Sequence, residues 1–400
     1  MTKHLLLIGC GFQGLEYIET AREMNMEISL MVDSQQLNIP NLDKVYRKAD
    51  NLYYLSSFHE EEIVKKALDI NKENEINGVI GYSEPHIRSA CIVAETLGLK
   101  SPGLYATSVS QNKSFQRSIM ENRGLLVPKN FTAYVPEVIN HLDNDSLYVI
   151  KPLDKAGSIG VEIQRGSDLK NEKMLQELEF PVQVEEFIDG QEYSIETLVQ
   201  DNEILFENIT TKEILKGQYP IEKSHTVPSD ISRTHQREIL KVNSELIDLI
   251  KMESGIIHLE IKINNNQVYI IEFAVRTPGG YILNCINNAY NFNIFKAIIE
   301  IAIGEPPREI NNESNRIGYA EFLTPVVNDK KRINSIKGIS TIQSFPGIER
   351  FFTSMKEGEC LSPIDSGLKR PGYYLATFSS YEEKSKTTEK VRETLVIEVD

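Results

Sequence analysis

The first hundred residues alternate apolar strands with amphipathic helices, and that alternation constrains the fold more than any other feature. "HLLLIGCGFQGLEYIETAREM" reads as strand, glycine turn and helix, and "EISLMVDS" as a second strand. "EEEIVKKALDINKEN" is a helix, "INGVIGYSE" a strand, and "HIRSACIVAETLGL" a further helix. Strands separated by helices pair in parallel through crossovers, so this part is α/β. The unit closes near "KSPGLYATS", where Pro102 and Gly103 break the pattern. The grain then changes toward α+β. A helix in "QNKSFQRSIMENRG" precedes several extended segments with turns between them, running through "SLYVIKPLDKAGSIGVEIQ" to "LFENIT". The helix "THQREILKVNSELIDLIKM" leads into two strands, and the helix "FNIFKAIIEIAIG" stops at Gly304 ahead of Pro306 and Pro307. Short strands and turns fill the rest. At 400 residues the chain exceeds one ordinary core. We expect three units: 1–105, 106–305 and 306–400.

Net charge −15 argues against nucleic acid or an anionic membrane as the main partner, while leaving room for a local cationic pocket. The four cysteines, Cys10, Cys91, Cys285 and Cys360, include no CxxC pair, which fits reduced thiols and a cytoplasmic setting. The apolar run in "MTKHLLLIGCG" is too short for a targeting segment and reads as a strand. No run reaches the length of a membrane span.

Gly9, Gly11 and Gly14 match G-x-G-x-x-G between a strand and a helix, with Asp33 closing the next strand. That pattern suits a dinucleotide pyrophosphate, and it equally suits a tight turn with close helix packing. It supports a dinucleotide-dependent oxidoreductase as a minority alternative.

Two acids in apolar strands ask for more explanation. "HLEIKINNNQVYIIEF" reads as a hairpin turning at Asn264–Asn266. A three-residue loop, Asn265 to Gln267, would set Glu260 opposite Glu272. Like charges facing across strands repel, and burial worsens the repulsion unless a proton or a cation intervenes. Mg²⁺ takes one or two carboxylates and completes its shell with water and phosphates. Arg276 can meet phosphate oxygens, and Gly279 and Gly280 let backbone approach a ligand. In "YVIKPLDKAGSIGV", Lys151 ends a strand before a small-residue loop, Asp154 to Gly160, whose N–H groups can cover phosphates. In "VQVEEFIDGQEYSIE" a chain leaving its strand can offer backbone to an adenine edge, and Glu192 can accept ribose hydroxyls.

In this order, Lys113, Lys151 with its loop, "EEFIDGQE", Glu260, Glu272 and Arg276 resemble the ATP-grasp superfamily of carboxylate–amine ligases, and most of all the bacterial L-amino-acid (dipeptide) ligases. The likeness covers nearly the whole chain. It implies an ATP-grasp fold: a Rossmann-like domain, lid and ATP-binding subdomains (the lid at about 120–185) and a small C-terminal subdomain. It implies that ATP and Mg²⁺ (or Mn²⁺) are bound. Lys113 and Lys151 would hold phosphates beneath the lid Ala156, Gly157, Ser158 and Gly160. Glu185, Phe187 and Ile188 would read adenine, and Glu192 the ribose. Glu260 and Glu272 would hold metal, and Arg276 would steady the transferred phosphoryl group. "EKSH" supplies Glu222 and His225 to the amino-acid site, with His225 orienting or deprotonating the nucleophile. Glu84 falls near the substrate amine, and Tyr82, His86, Tyr281 and Asn284 are further lining candidates. The family's E-x-N-x-R pattern is broken, because Ala274 stands where a ligating Asn is usual. The implied reaction joins a small carboxylate to an amine through an acyl phosphate, and the implied assembly, by analogy, is a homodimer. The competing activity on the same site is a bicarbonate-using carboxylase. A non-catalytic sensor of nucleotide or amino acid would leave this phosphate-and-metal set without a use.

Overall fold

The computed structural model describes residues 2–34, 42–56, 58–82, 84–153 and 159–400. Strands β1 (His4–Ile8), β2 (Glu27–Asp33), β3 (Asn51–Leu55) and β4 (Gly78–Gly81) form a parallel sheet in the order β3-β2-β1-β4. Leu5 and Leu7 pack on one face with Tyr17 and Ile18 of the helix Gly14–Glu23 and with Phe295 of the helix Ile294–Ala302. Leu6 and Ile8 pack on the other face with Ile63 and Val93 of the helices Glu60–Glu73 and Ile87–Thr96. Helices on both faces are why β1 is buried at every position and apolar from Leu5 to Ile8, as parallel strands require.

Four antiparallel strands follow: β5 (Asn130–Ala133), β6 (Leu147–Pro152), β7 (Glu162–Arg165) and β8 (Val182–Glu186), in the order β5-β8-β6-β7. Next come β9 (Gln191–Gln200), β10 (Glu203–Ile214), β11 (Glu222–Val227), β12 (Gly255–Asn264), β13 (Gln267–Ala274) and β14 (Ile317–Phe322). The last five strands are β15 (Lys331–Lys337), β16 (Ile348–Thr353), β17 (Cys360–Leu361), β18 (Gly372–Phe378) and β19 (Val396–Val399). Eight of these make one antiparallel sheet in the order β13-β12-β9-β10-β11-β14-β18-β16, while β17-β15-β19 form a small one. The C-terminal strands β14, β16 and β18 therefore extend the central sheet.

That sheet has two chemically different faces. Ile257, Leu259 and Ile261 of β12 pack with Ile195 and Val199 of β9 and with Ile239, Leu246 and Ile250 of the helix Arg233–Ile250. With side chains alternating at period two, His258 and Glu260 point to the opposite face. The charged residues inside apolar strands thus belong to one open face, which forms a wall of the cleft described next.

Candidate active site

A cleft of about 350 Å³ separates the β5–β8 sheet from the central sheet, and the C-terminal segment Gly367–Arg370 closes one end. Lys113, Lys151, Glu185, Phe187, Ile188, Glu192, Glu222, Glu260, Glu272, Arg276, Gly279 and Gly280 all line it. Ala156, Gly157 and Ser158 lie outside the described residues. Gly160 is described, with φ +70°, and a Cβ there would sit 3.0 Å from the Pro152 ring.

On the small sheet, β6 and β8 pair so that Lys151 and Glu185 meet. The Glu185 carboxylate is buried between Lys151 Nζ at 2.8 Å and Arg117 Nη2 at 2.7 Å. Burial alone would raise its pKa, but Lys151 and Arg117 outweigh that and hold it below the usual carboxylate range. Its carboxylate is therefore committed to holding cations, and an adenine edge would be met by backbone. Here the Phe187 N–H is already bonded to the Leu147 carbonyl. Lys262 Nζ donates to the Ile188 carbonyl at 3.2 Å and stands 4.9 Å from the Phe187 ring centroid.

Across the cleft the two strand acids do face each other, by a different route from the expected one. Asn264 pairs with Gln267 and Ile261 with Ile270, so the loop is the two residues Asn265–Asn266, both at positive φ. That register would place Glu260 opposite Ile271. A bulge beyond Ile261 shifts the pairing by one and puts Glu260 opposite Glu272. The three-residue loop was wrong, and the facing pair it led to was right. Glu260 Oε1 lies 2.6 Å from Lys212 Nζ and 3.2 Å from His258 Nε2, and Glu272 Oε1 lies 3.1 Å from Lys113 Nζ. Burial would push Glu260 up, but Lys212 and His258 pull it far below its ordinary value. Among the described residues no three His, Cys, Asp or Glu side chains are arranged around one ion position. Two facing carboxylates in a cleft still match what Mg²⁺ asks of a protein, since phosphates and water supply the other ligands. His258 is the cross-strand partner of Ala274, and its Nδ1 is 2.9 Å from the buried Glu196 Oε1.

Lys212, on β10, ties the cleft together. Its side chain is 2% exposed, and Nζ sits 3.0 Å from Glu192, 2.9 Å from Glu222 and 2.6 Å from Glu260. Burial opposes its charge, but Glu260, Glu222 and Glu192 together raise its pKa well above the ordinary value.

At the other end of the cleft, Arg276 Nε donates to Glu84 Oε2 at 2.6 Å, and Nη1 donates to the Thr277 carbonyl. Glu84 Oε1 is buried without a hydrogen-bond partner among the described residues, and burial pushes the Glu84 pKa up despite Arg276. His225 is fully buried, with Nδ1 2.9 Å from the Gly280 carbonyl. A Cβ on Gly280 would lie 2.2 Å from the imidazole, so the missing side chain makes room for His225 while the glycine lines the cleft. Gly279 has open space around it. Tyr82 and His86 serve the glycine turn. A Cβ at Gly9 would lie 2.2 Å from His86 Cδ2, and one at Gly11 3.2 Å from the Tyr82 ring. Asn284 donates to Glu16, and Tyr281 stacks on Tyr373 with centroids 4.1 Å apart.

Residues 146–285 match the family model described as ATP-grasp domain, and residues 329–400 match L-amino acid ligase C-terminal domain 2. Residues 146–285 are thus an ATP-grasp domain, and the chain has the fold of the ATP-grasp proteins. It is 22% identical over 373 residues to an L-arginine-specific L-amino acid ligase of Bacillus subtilis, covering 88% of this chain and 84% of that one. Its fold is similar to that of an L-amino acid ligase from Bacillus licheniformis, with TM-score 0.85, 21% identity, and coverage of 100% of this chain and 99% of that one. It is also similar to a phosphoribosylglycinamide synthetase from Anaerococcus prevotii, with TM-score 0.77, 16% identity and full coverage of both chains.

Several cleft residues escape a reading of motifs. Arg117 is the fifth residue of the helix Lys113–Arg123, four positions after Lys113, and that spacing places both on one helical face. Lys212 shares a strand face with Thr210 and Asn208, a run of buried polar side chains. Arg370 comes from the C-terminal segment, and no local pattern announces it. Among the described residues, no helix is long and apolar enough to cross a membrane.

Proposed function

We propose that this protein is an ATP-dependent ligase that joins the carboxylate of one substrate, an amino acid, to the amine of another, releasing ADP and phosphate. The observation that carries this reading is the facing pair Glu260 and Glu272 in the same cleft as Lys113, Lys151 and Arg276. Residues 106–305 would hold ATP, with residues 1–105 and 306–400 adding substrate contacts. A carboxylate oxygen attacks the γ-phosphorus of ATP, the bond to the ADP oxygen breaks, and an acyl phosphate forms. The amine nitrogen then adds to the acyl carbon, the carbon–phosphate oxygen bond breaks, and phosphate leaves.

The chain's contribution is positioning and charge, as phosphoryl transfer demands. Lys113 and Lys151 would hold the phosphates. Arg276 would leave Glu84 to meet the transferring group, because among the described residues its guanidinium is engaged through Nε and one Nη1 donor. Mg²⁺ or Mn²⁺ held by Glu260 and Glu272 would neutralise phosphate charge. Glu185 would keep Lys151 extended, and Glu192 would take the ribose hydroxyls. His225 Nε2 is buried without a hydrogen-bond partner among the described residues, 3.6 Å from Glu222 Oε1, so this pair is placed to accept the proton the amine gives up.

The test is phosphate release from Mg–ATP across single and paired L-amino acids, with bicarbonate as a separate addition. A signal that needs a pair, and disappears in Glu272→Gln and Arg276→Ala, is the expected result. Release that depends on bicarbonate instead would identify a carboxylase.

A further inference from the structure

The C-terminal segment places one cation at the cleft that no motif foretold. Arg370 follows the turn Gly367–Lys369, precedes β18 and lines the cleft with 14% of its side chain exposed. Three contacts fix its guanidinium. Nε donates to the Gly367 carbonyl at 2.8 Å, Nη1 donates to the Glu222 carbonyl at 3.0 Å, and the central carbon lies 3.5 Å from the Phe322 ring centroid. Nη2 has no hydrogen-bond partner among the described residues. Nη1 also makes a long hydrogen bond and ion pair to Glu222 Oε2 at 3.5 Å, through one donor and not a bidentate fork.

A desolvated guanidinium held by its other atoms, with one edge open to a cleft, suits a planar carboxylate. The carboxylate that accepts a phosphoryl group has to lie near Arg276 and the acids of β12 and β13. Arg370 instead contacts β11 and β14, at least three strands along the sheet from β12. Lys212 stands between it and the acid of β12, which leaves Arg370 placed to serve a second carboxylate. Its neighbour Glu222 supplies a negative charge beside it, and an α-amino acid carries the matching ammonium and carboxylate close together.

We propose that Arg370 binds the carboxylate of the amine-donating substrate, and that this substrate is an α-amino acid taken with its carboxylate free. This rests on the ligase reading above. It gives the C-terminal segment a stated task, selection of the nucleophile by its acid group. A plain amine or an amino-acid amide lacks the group that Arg370 Nη2 would bind.

Two measurements on the full chain test it. In the first, phenylglyoxal labels arginines in the presence of Mg²⁺ and a non-hydrolysable ATP analogue, and mass spectrometry reads Arg370. An arginine-free mixture of L-amino acids should protect Arg370, and the matching α-amides should not. Equal protection by both mixtures, or by neither, overturns the proposal. In the second, the best amine partner from the phosphate-release panel is compared with its α-amide. Arg370→Gln should raise KM for the amino acid by about 10–100-fold, the worth of a charge-assisted hydrogen bond, leave KM for ATP unchanged and erase the preference for acid over amide. Arg370→Lys should restore part of that preference, which a merely structural arginine would not do. Wild-type turnover of the amide at the KM of the acid also overturns the proposal while leaving the ligase standing. Phosphate silence across the panel with Arg370 still protected would sink the ligase and keep the carboxylate site.

Discussion

Two glycine-bearing turns in this molecule look alike in sequence and differ in what fills them. The turn after β1 carries Gly9, Gly11 and Gly14, and its open positions are taken by the protein's own His86, Tyr82 and Cys10. The turn after β13 carries Gly279 and Gly280, where His225 takes the space at Gly280 while Gly279 faces an open cleft lined by Lys113, Lys151 and Arg276. In the first turn glycine serves packing against those three side chains. In the second the surrounding charges are buried, paired within the protein, and turned toward a space that a phosphate chain can enter. A glycine pattern reports close approach, and the identity of what approaches has to come from the side chains around it.

The largest effect should come from breaking the charge lattice of the cleft. Lys212→Met would leave Glu192, Glu222 and Glu260 facing one another without their shared cation, a loss of about 3–5 kcal/mol or failure to fold. The sign of its pH dependence is distinctive. In the wild type Lys212 outweighs burial and holds Glu222 and Glu260 below 4.5, so their contribution is present above that pH and is lost as pH falls through their folded values. In the variant the acids repel, and protonation relieves them. The gap in Tm between the two proteins should narrow from pH 7 toward 4.5, and a widening gap would contradict the lattice.

Glu185→Gln should follow, at about 3 kcal/mol by urea unfolding, because it strips the counter-ion from buried Lys151 and Arg117. It should also weaken ATP binding by releasing Lys151. A change under about 1 kcal/mol would mean the pair behaves as an exposed one.

The glycine turn should respond in stability alone. Gly9→Ala places a methyl group against His86 at a φ of +72°, which should cost about 1–3 kcal/mol. KM for ATP should stay unchanged, and NADH fluorescence should show no binding to the wild type. The smallest effect belongs to His86. Burial lowers its pKa from 6.5 to about 4, so the unfolded chain binds the extra proton first as pH drops. Its contribution is full above pH 6.5 and is lost as pH falls toward 4. His86→Leu should flatten the Tm profile across that window, and an unchanged slope would show that His86 is not held neutral.

The contrast between the turns also shows what a single sequence carries. The parallel N-terminal unit was readable because crossover helices cover both faces of β1 and leave a continuous apolar run. Glu260 and Glu272 were readable because an acid in an apolar strand demands a partner. The bulge that makes them face each other was not readable, since the loop length and the register shift cancel in the numbering. Lys212 was missed because one lysine in "TTKEI" looks like any solvated strand residue until three acids from β9, β11 and β12 surround it. The ion pair of Glu185 with Lys151 and the close approach of His225 to Gly280 were not readable, because each partner is distant in sequence.

The most direct test of the central claim follows an oxygen atom. An acyl-donor amino acid labelled with ¹⁸O in its carboxylate is turned over with Mg–ATP and its amine partner, and the released phosphate is weighed by mass spectrometry. Passage through an acyl phosphate predicts one ¹⁸O in each phosphate, carried over when the amine displaces it. Unlabelled phosphate alongside product would contradict an acyl phosphate and the roles given to Arg276, Glu260 and Glu272.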